Sequence, residues 1–244
     1  MECGIDPRRF GNLLYLPKLW KDANTFRAQG GSIDNYWPFL DDYKQSAGSD
    51  RGHYFHQDLL VASLIHENNP KRHVDIGSRV DGFIAHVASY RTIEMLDIRP
   101  MPPSVHKNIV YVQADLMEPG VVNAVRADSV SCLHAIEHFG LGRYGDVIDP
   151  KGHITGFRNI WSMVEPGGRL YIAFPIGIET IVRFNAQRTF GRSEVFNWFD
   201  KKDYELERFD FVDDAGDLHT QKDVDAAISV QNGCGIYTFR KLEG

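Results

Sequence analysis

The chain has few cysteines. Cys3, Cys132 and Cys234 are three in 244 residues, none in CxxC or CxH spacing, which excludes a disulfide framework and a structural zinc finger. The odd number favours free thiols in a reducing compartment. No run approaches the ~18 consecutive apolar residues of a membrane helix, and Met1–Phe10 lacks the apolar core of a secretory signal. A cytoplasmic protein without a membrane span is expected. Positive charge is also scarce: 27 Lys and Arg against 33 Asp and Glu leave a formal charge of −6. A phosphate backbone needs a basic face, so nucleic acid is not an expected partner, whereas a small molecule or a sugar is. Neither GxGxxG nor a Gly-Lys-Ser/Thr phosphate loop occurs. Repeats and low-complexity segments are absent too. The remainder, 43% hydrophobic and 25% charged, is an ordinary globular composition, long enough for one α/β domain with a cap.

Residues 1–66 differ from the rest. They are rich in aromatics (Trp20, Phe26, Tyr36, Trp37, Phe39) and broken by Gly30-Gly31, with no sustained strand alternation. We read them as an N-terminal cap or lead-in, closing on a helix near 57–67 whose stripe is Leu59, Leu60, Ser63 and Leu64. Residues 67–244 alternate regularly. Strands are predicted near 72–77, 91–97, 108–113, 127–133, 168–174, 204–212 and 235–241, and helices near 80–90, 118–126, 151–165, 178–188 and 221–230. Strands separated by helices imply βαβ units and a Rossmann-like, mostly parallel, seven-stranded sheet, with an antiparallel strand at one edge from the last pair.

Ligands of such sheets sit beyond the carboxyl ends of the strands. The first apolar run ends in Asp75-Ile76-Gly77-Ser78, the second in Asp97-Ile98 22 positions later, and the third in Asp115. Gly77 allows a tight turn and close backbone approach to a ligand. Three strand-end acids suit a ligand with ribose hydroxyls, an amine and a positive charge, which points to S-adenosylmethionine. Asp97 and Asp115 each have an alternative as a helix cap, and the loop after Asp75 as a plain strand-to-helix turn.

The fourth strand runs into His134-Ala135-Ile136-Glu137-His138, and Pro166-Gly167-Gly168 introduces the fifth. With these motifs the chain resembles class I S-adenosylmethionine-dependent methyltransferases over residues 70–180. The resemblance implies that Asp97 holds the ribose, that Asp115 meets the adenine, and that Asp75, Gly77, Ser78, Ile98 and His134 complete the cofactor site. One departure stands out: the family's glycine-rich first loop carries Arg79 where its second glycine belongs, and a side chain there is expected to narrow or re-aim the methionine end. More narrowly, Gly140-Leu141-Gly142-Arg143-Tyr144-Gly145-Asp146 with Asp149-Pro150, Tyr54-Phe55 with Gln57-Asp58, and Arg183-Phe184-Asn185-Ala186 resemble a methyltransferase-like family of unassigned function. Its bacterial members are often associated with glycan assembly.

The implied reaction is methyl transfer to a hydroxyl of a sugar or glycan precursor. A general base would take the hydroxyl proton, and His138, Asp146 and His134 are the candidates. Arg143, Tyr144 and Asp149, on a loop loosened by Gly140, Gly142 and Gly145, are candidate substrate contacts. Asp146 with Asp149 offers hard oxygen ligands to a divalent cation, although no metal is expected. His134 and His138 also spell HxxEH, a zinc-protease pattern. It follows a strand and runs into Phe139-Gly140, so the long helix a zinc site needs is not expected. The alternative to an enzyme is a catalytically inactive methyltransferase-like module acting as a scaffold in glycan assembly, the reading Arg79 favours. The oligomeric state is left open.

Overall fold

The computed structural model describes residues 7–118, 120–122, 125–199 and 202–243, with side chains from residue 11 onward. The chain divides into two compact units, Met1–Asp50 and Arg51–Gly244. In the first, a 3-10 stretch at Pro7–Tyr15 leads into helix α1 (Leu16–Ala28), and a second 3-10 turn covers Asp41–Lys44. Pro17 opens α1, where its missing N–H costs nothing. Aromatic and cationic side chains pair locally. Trp20 lies 4.9 Å from Tyr36, Tyr15 lies 5.5 Å from Tyr43, and Lys18 sits 4.2 Å above the Tyr43 ring.

The second unit begins with helix α2 (His53–Asn68) and therefore earlier than the boundary read at residue 66. The inward stripe of α2 is Gln57, Asp58, Val61, Ala62 and Ile65, whereas Leu59 is exposed. The polar pair Gln57 and Asp58 faces inward, so Leu60 and Leu64 of the expected stripe pack only at the margin of the core. Asn69, left-handed at φ 42°, closes the helix by donating its N–H to Ile65, and Pro70 follows.

Four short parallel strands then build the site's floor: β1 (His73–Ile76), β2 (Ile93–Asp97), β3 (Ile109–Gln113) and β4 (Ala127–Leu133). β5 (Val164–Gly177), β6 (Ile181–Arg183), β7 (Gln187–Gly191), β8 (Tyr204–Val212), β9 (Leu218–His219) and β10 (Gly233–Lys241) complete the sheet. Its order is β3-β2-β1-β4-β5-β10-β8-β9, with β7 also paired to β5 and β6 to β7. The mixed α/β fold with a largely parallel Rossmann-like sheet is thus as expected. The antiparallel strand is not at the edge, however. β10 lies between β5 and β8 and runs against both, because both of its sides find partners. The Pro166-Gly167-Gly168 turn bulges within β5. Pairing jumps from Ala127 opposite Val164 to Ser129 opposite Arg169, and Gly167 takes φ 78° at the bulge.

The expected helices 80–90 and 151–165 appear as a π-turn at Val80–Ile84 with α3 (Ala85–Ala88), and as α4 (Gly152–Met163). The helix read at 178–188 is instead the β6–β7 hairpin. That at 221–230 shrinks to a 3-10 turn, Val224–Ala227. The helix read at 118–126 lies partly outside the described residues, and its described portion forms turns.

Apolar side chains cover both faces of the sheet, as a parallel sheet requires. Val74, Ile76, Val130, Leu170, Ile172 and Phe174 pack with Phe157, Ile160 and Met163 of α4. Ile93, Met95, Leu133, Tyr171 and Ala173 pack with Val61 and Ile65 of α2 and with Phe83 and Val87. Each large side chain so buried contributes about 1.5–3 kcal/mol. The rigid floor leaves β1 beside β4, the point where the chain order reverses.

Candidate functional site

At that reversal the carboxyl ends of β1, β2, β3 and β4 open into one crevice. Its cavity volume is about 50 Å3. Gly77, Asp97, Ile98, Asp115, His134, His138, Tyr144 and Asp146 all line it, with Arg99, Leu116, Met117 and Phe139. Of the residues singled out from sequence, Asp75, Ser78, Arg143 and Asp149 are outside this lining.

Asp75 lies beneath the loop. Its carboxylate, fully buried, accepts from the Ser78 hydroxyl (2.7 Å), the Ser78 amide (3.0 Å) and the Ser131 hydroxyl (2.5 Å). Burial pushes its pKa up to about 7 against the lowering effect of those bonds. Asp75 and Ser78 therefore shape the turn and do not face the crevice. Gly77 does, at φ 68°. A Cβ there would come within 2.9 Å of the Ala135 methyl group. Arg79 turns away: it forks onto Asp81 (3.2 and 3.0 Å) and lies 5.1 Å over Tyr54, so it does not narrow the crevice.

Asp97 is 5% exposed, and both its oxygens are held by Arg99. The guanidinium donates at 3.0 and 2.5 Å, and the Arg99 amide adds a bond of 2.8 Å. The same guanidinium stacks 4.7 Å above Tyr144. Arg99 was not found from the sequence, although its i+2 spacing from a strand-end acid was a usable signal. Asp115 accepts from the Met117 amide at 2.8 Å, an Asx turn that fixes the loop after β3.

After β4, Glu137 lies between two histidines. Its Oε1 accepts from His134 Nδ1 at 2.8 Å and lies 3.7 Å from His138 Nε2. His134 takes φ 52°, stacks with His53 at 5.8 Å and lies tilted against Tyr54 at 4.8 Å. Burial lowers the His134 pKa, but Cys234 and Glu137 outweigh it and hold the group well above its ordinary value. Burial holds His138 below its ordinary value, despite the opposing pull of Glu137.

The Gly140–Pro150 loop is stapled by Asp146. That carboxylate accepts amides from Gly140 (2.8 Å), Gly142 (3.1 Å) and Tyr144 (3.1 Å). With its oxygens so committed, Asp146 is poorly placed to take a substrate proton. Asp149 accepts the Lys151 amide at 2.9 Å, and Arg143 donates to Ala186 O at 2.7 Å; both are structural in this arrangement. Arg188, 2% exposed, donates to the carbonyls of Phe139 (2.6 Å) and Pro150 (3.3 Å), tying β7 to this loop. Among the described residues, no three His, Cys, Asp or Glu side chains form a group that could hold a metal ion. No helix among them is long and apolar enough to cross a membrane.

Residues 121–204 match a family profile described as "Caenorhabditis protein of unknown function, DUF268". No curated protein matches the chain. Among solved structures, it is similar to the 1,6-didemethyltoxoflavin-N1-methyltransferase of Burkholderia thailandensis with bound 1,6-didemethyltoxoflavin and S-adenosylhomocysteine. That match has a TM-score of 0.56 and 14% identity over 98% of this chain and 92% of the other. It is similar to the N-methyltransferase NodS of Bradyrhizobium japonicum WM9 in complex with S-adenosylhomocysteine, at TM-score 0.52 and 14% identity over 90% and 100%. The [4+2]-cyclase SpnF follows at TM-score 0.53 and 13% identity over 81% and 86%. At these identities the likeness is one of backbone, and the chain has the Rossmann-like fold of these methyltransferases and of a cyclase.

Proposed function

We propose that the chain is an S-adenosylmethionine-dependent methyltransferase that O-methylates a sugar or glycan precursor, working in the cytoplasm without a nucleic-acid partner. The observation that carries the reading is Asp97. It lines the crevice, and its two oxygens accept a forked pair of donors from Arg99. Two vicinal ribose hydroxyls present the same chemistry, a pair of donors to one carboxylate. The fit extends to the neighbours. Gly77 keeps the loop free of a Cβ, Asp115 would meet the adenine amino group, and Ile98, Leu116, Met117 and Phe139 offer apolar contact to a flat base. The Arg99 guanidinium occupies both Asp97 oxygens, so it would swing off Asp97 when a ribose binds there.

The bound cofactor would supply an electrophilic methyl group on a sulfonium. The chain's own part is positioning and proton removal. His138 Nδ1 lies 2.8 Å from Ala186 O, a group that only accepts, so Nδ1 carries the proton and Nε2, 3.7 Å from Glu137, keeps the basic lone pair. Its lowered pKa keeps it in the basic form at neutral pH. Asp146 already accepts three loop amides, so His138 is the base we favour. The acceptor rests on the resemblance of the 140–150 and 183–186 segments to glycan-associated chains. The scaffold alternative drew on Arg79, which here turns outward.

Calorimetric titration with S-adenosylmethionine tests the reading. Binding is expected, and Asp97→Asn should weaken it about tenfold or more, roughly 1.4 kcal/mol. Absence of both heat and a thermal shift at millimolar cofactor would overturn it.

A further inference from the structure

Glu137 has no role in the reading above, yet its surroundings are unusual for a buried acid. It is 1% exposed, in a 3-10 turn at Ile136–His138. Its Oε2 is buried without a hydrogen-bond partner. Unpaired buried carboxylates are costly, so the charge has to be answered by its neighbours. Two imidazoles face it, His134 Nδ1 at 2.8 Å and His138 Nε2 at 3.7 Å.

We propose that Glu137 is a positioning residue, a carboxylate shared by two histidines that fixes which nitrogen of each carries hydrogen and lets the pair hold one proton tightly. The assignment follows from donors and acceptors. A carboxylate only accepts, so His134 Nδ1 carries hydrogen. The Ala186 carbonyl only accepts, so His138 Nδ1 does as well. His138 Nε2 is left with a lone pair facing Oε1, and a proton added there turns a repulsive contact into a charge-assisted one. His134 Nε2 is buried and unpartnered on a ring that lines the crevice.

The groups around the cluster set its charge. Against His134 stand His53 and Tyr54 of α2 and Cys234 of β10, with Asp58 nearby. Against His138 stand Arg143 Nη1, 3.3 Å from Nδ1, and the Tyr144 ring at 5.5 Å. Arg188 donates to the Glu137 carbonyl at 3.4 Å, not to its carboxylate. The single negative charge is therefore shared by two rings, and protonating either makes protonation of the other harder. His134 takes the resident proton, since it has the shorter bond and no cation beside it. His138, next to Arg143, stays neutral. A proton that reaches Nε2 is then held between the ring and the carboxylate, with Glu137 steadying the imidazolium. Catalytic use of that site rests on the methyl-transfer reading, whereas the proton arrangement belongs to the free protein.

Long-range proton–nitrogen NMR of the free protein, with signals assigned from His134→Asn and His138→Asn, tests the proposal. At pH 7 the expected pattern is His134 protonated on both nitrogens and His138 on Nδ1 alone. In Glu137→Gln, His134 should become neutral at pH 7, its proton affinity falling at least tenfold. Glu137→Asp, which keeps the charge, should retain at least part of that affinity. A neutral His134 in the wild type overturns the proposal whether or not the variants fold, as do superposable His134 titrations in wild type and Glu137→Gln. Cofactor titration reads the methyltransferase proposal separately, because none of these spectra needs cofactor or acceptor.

Discussion

At the scale of single residues, position along a strand was easier to read than direction. Asp97 and Asp115 lie in the crevice, while Asp75, from an equally plain strand end, lies under it. What turns Asp75 inward is Ser131, 56 positions away on β4, and no local pattern contains that partner. Gly77 is where local reading and tertiary structure agree. Its left-handed φ of 68° and the 2.9 Å approach to Ala135 leave no room for a methyl group. Gly77→Ala should therefore lose about 1–3 kcal/mol in urea unfolding and weaken S-adenosylmethionine binding in calorimetry. Unchanged values in both would show that the turn adapts.

Whole elements depended on competing signals. Ile178, Ile181, Val182 and Phe184 have helical spacing, yet the segment folds as the β6–β7 hairpin. β-branched residues favour strands, and Phe190 finds a place opposite Ile176 on β5, with Arg188 and Thr189 also buried. The loop Gly140–Pro150 was legible as a glycine-punctuated excursion, but the task of Asp146 was not. Its three amide bonds make it a staple. Asp146→Ala is expected to cost about 1–3 kcal/mol and to speed hydrogen exchange at the amides of Gly140, Gly142 and Tyr144. If Asp146 served only as a proton acceptor, those amides would exchange as before.

For the molecule as a whole, buried ionisable groups oppose one another. Burial raises Asp75 to about 7 and lowers His73 to about 3 and His153 to about 4. A raised acid stabilises the fold at pH below its unfolded value of about 4, and that contribution fades as pH rises through about 7. Lowered histidines act in reverse. Their contribution is complete above about 6.5 and is lost as pH falls towards 4 and then 3. Between pH 4 and 7 the trends offset. Asp75→Asn removes the acid's side of the balance, so its unfolding free energy should climb more steeply from pH 4 to 6.5 than that of the wild type. Urea denaturation across that range reads the slopes directly, and equal slopes would contradict the assignment.

The sequence by itself determined the alternating α/β pattern, the central parallel strands and the acids at their ends. These follow from side-chain period and backbone sterics, which act over a few residues. Tertiary structure alone decided that β10 runs inside the sheet, that Arg99 grips Asp97, and that Glu137 faces two imidazoles. Those outcomes turn on partners brought together from distant segments, or on buried charges whose interactions gain strength only when folding removes water.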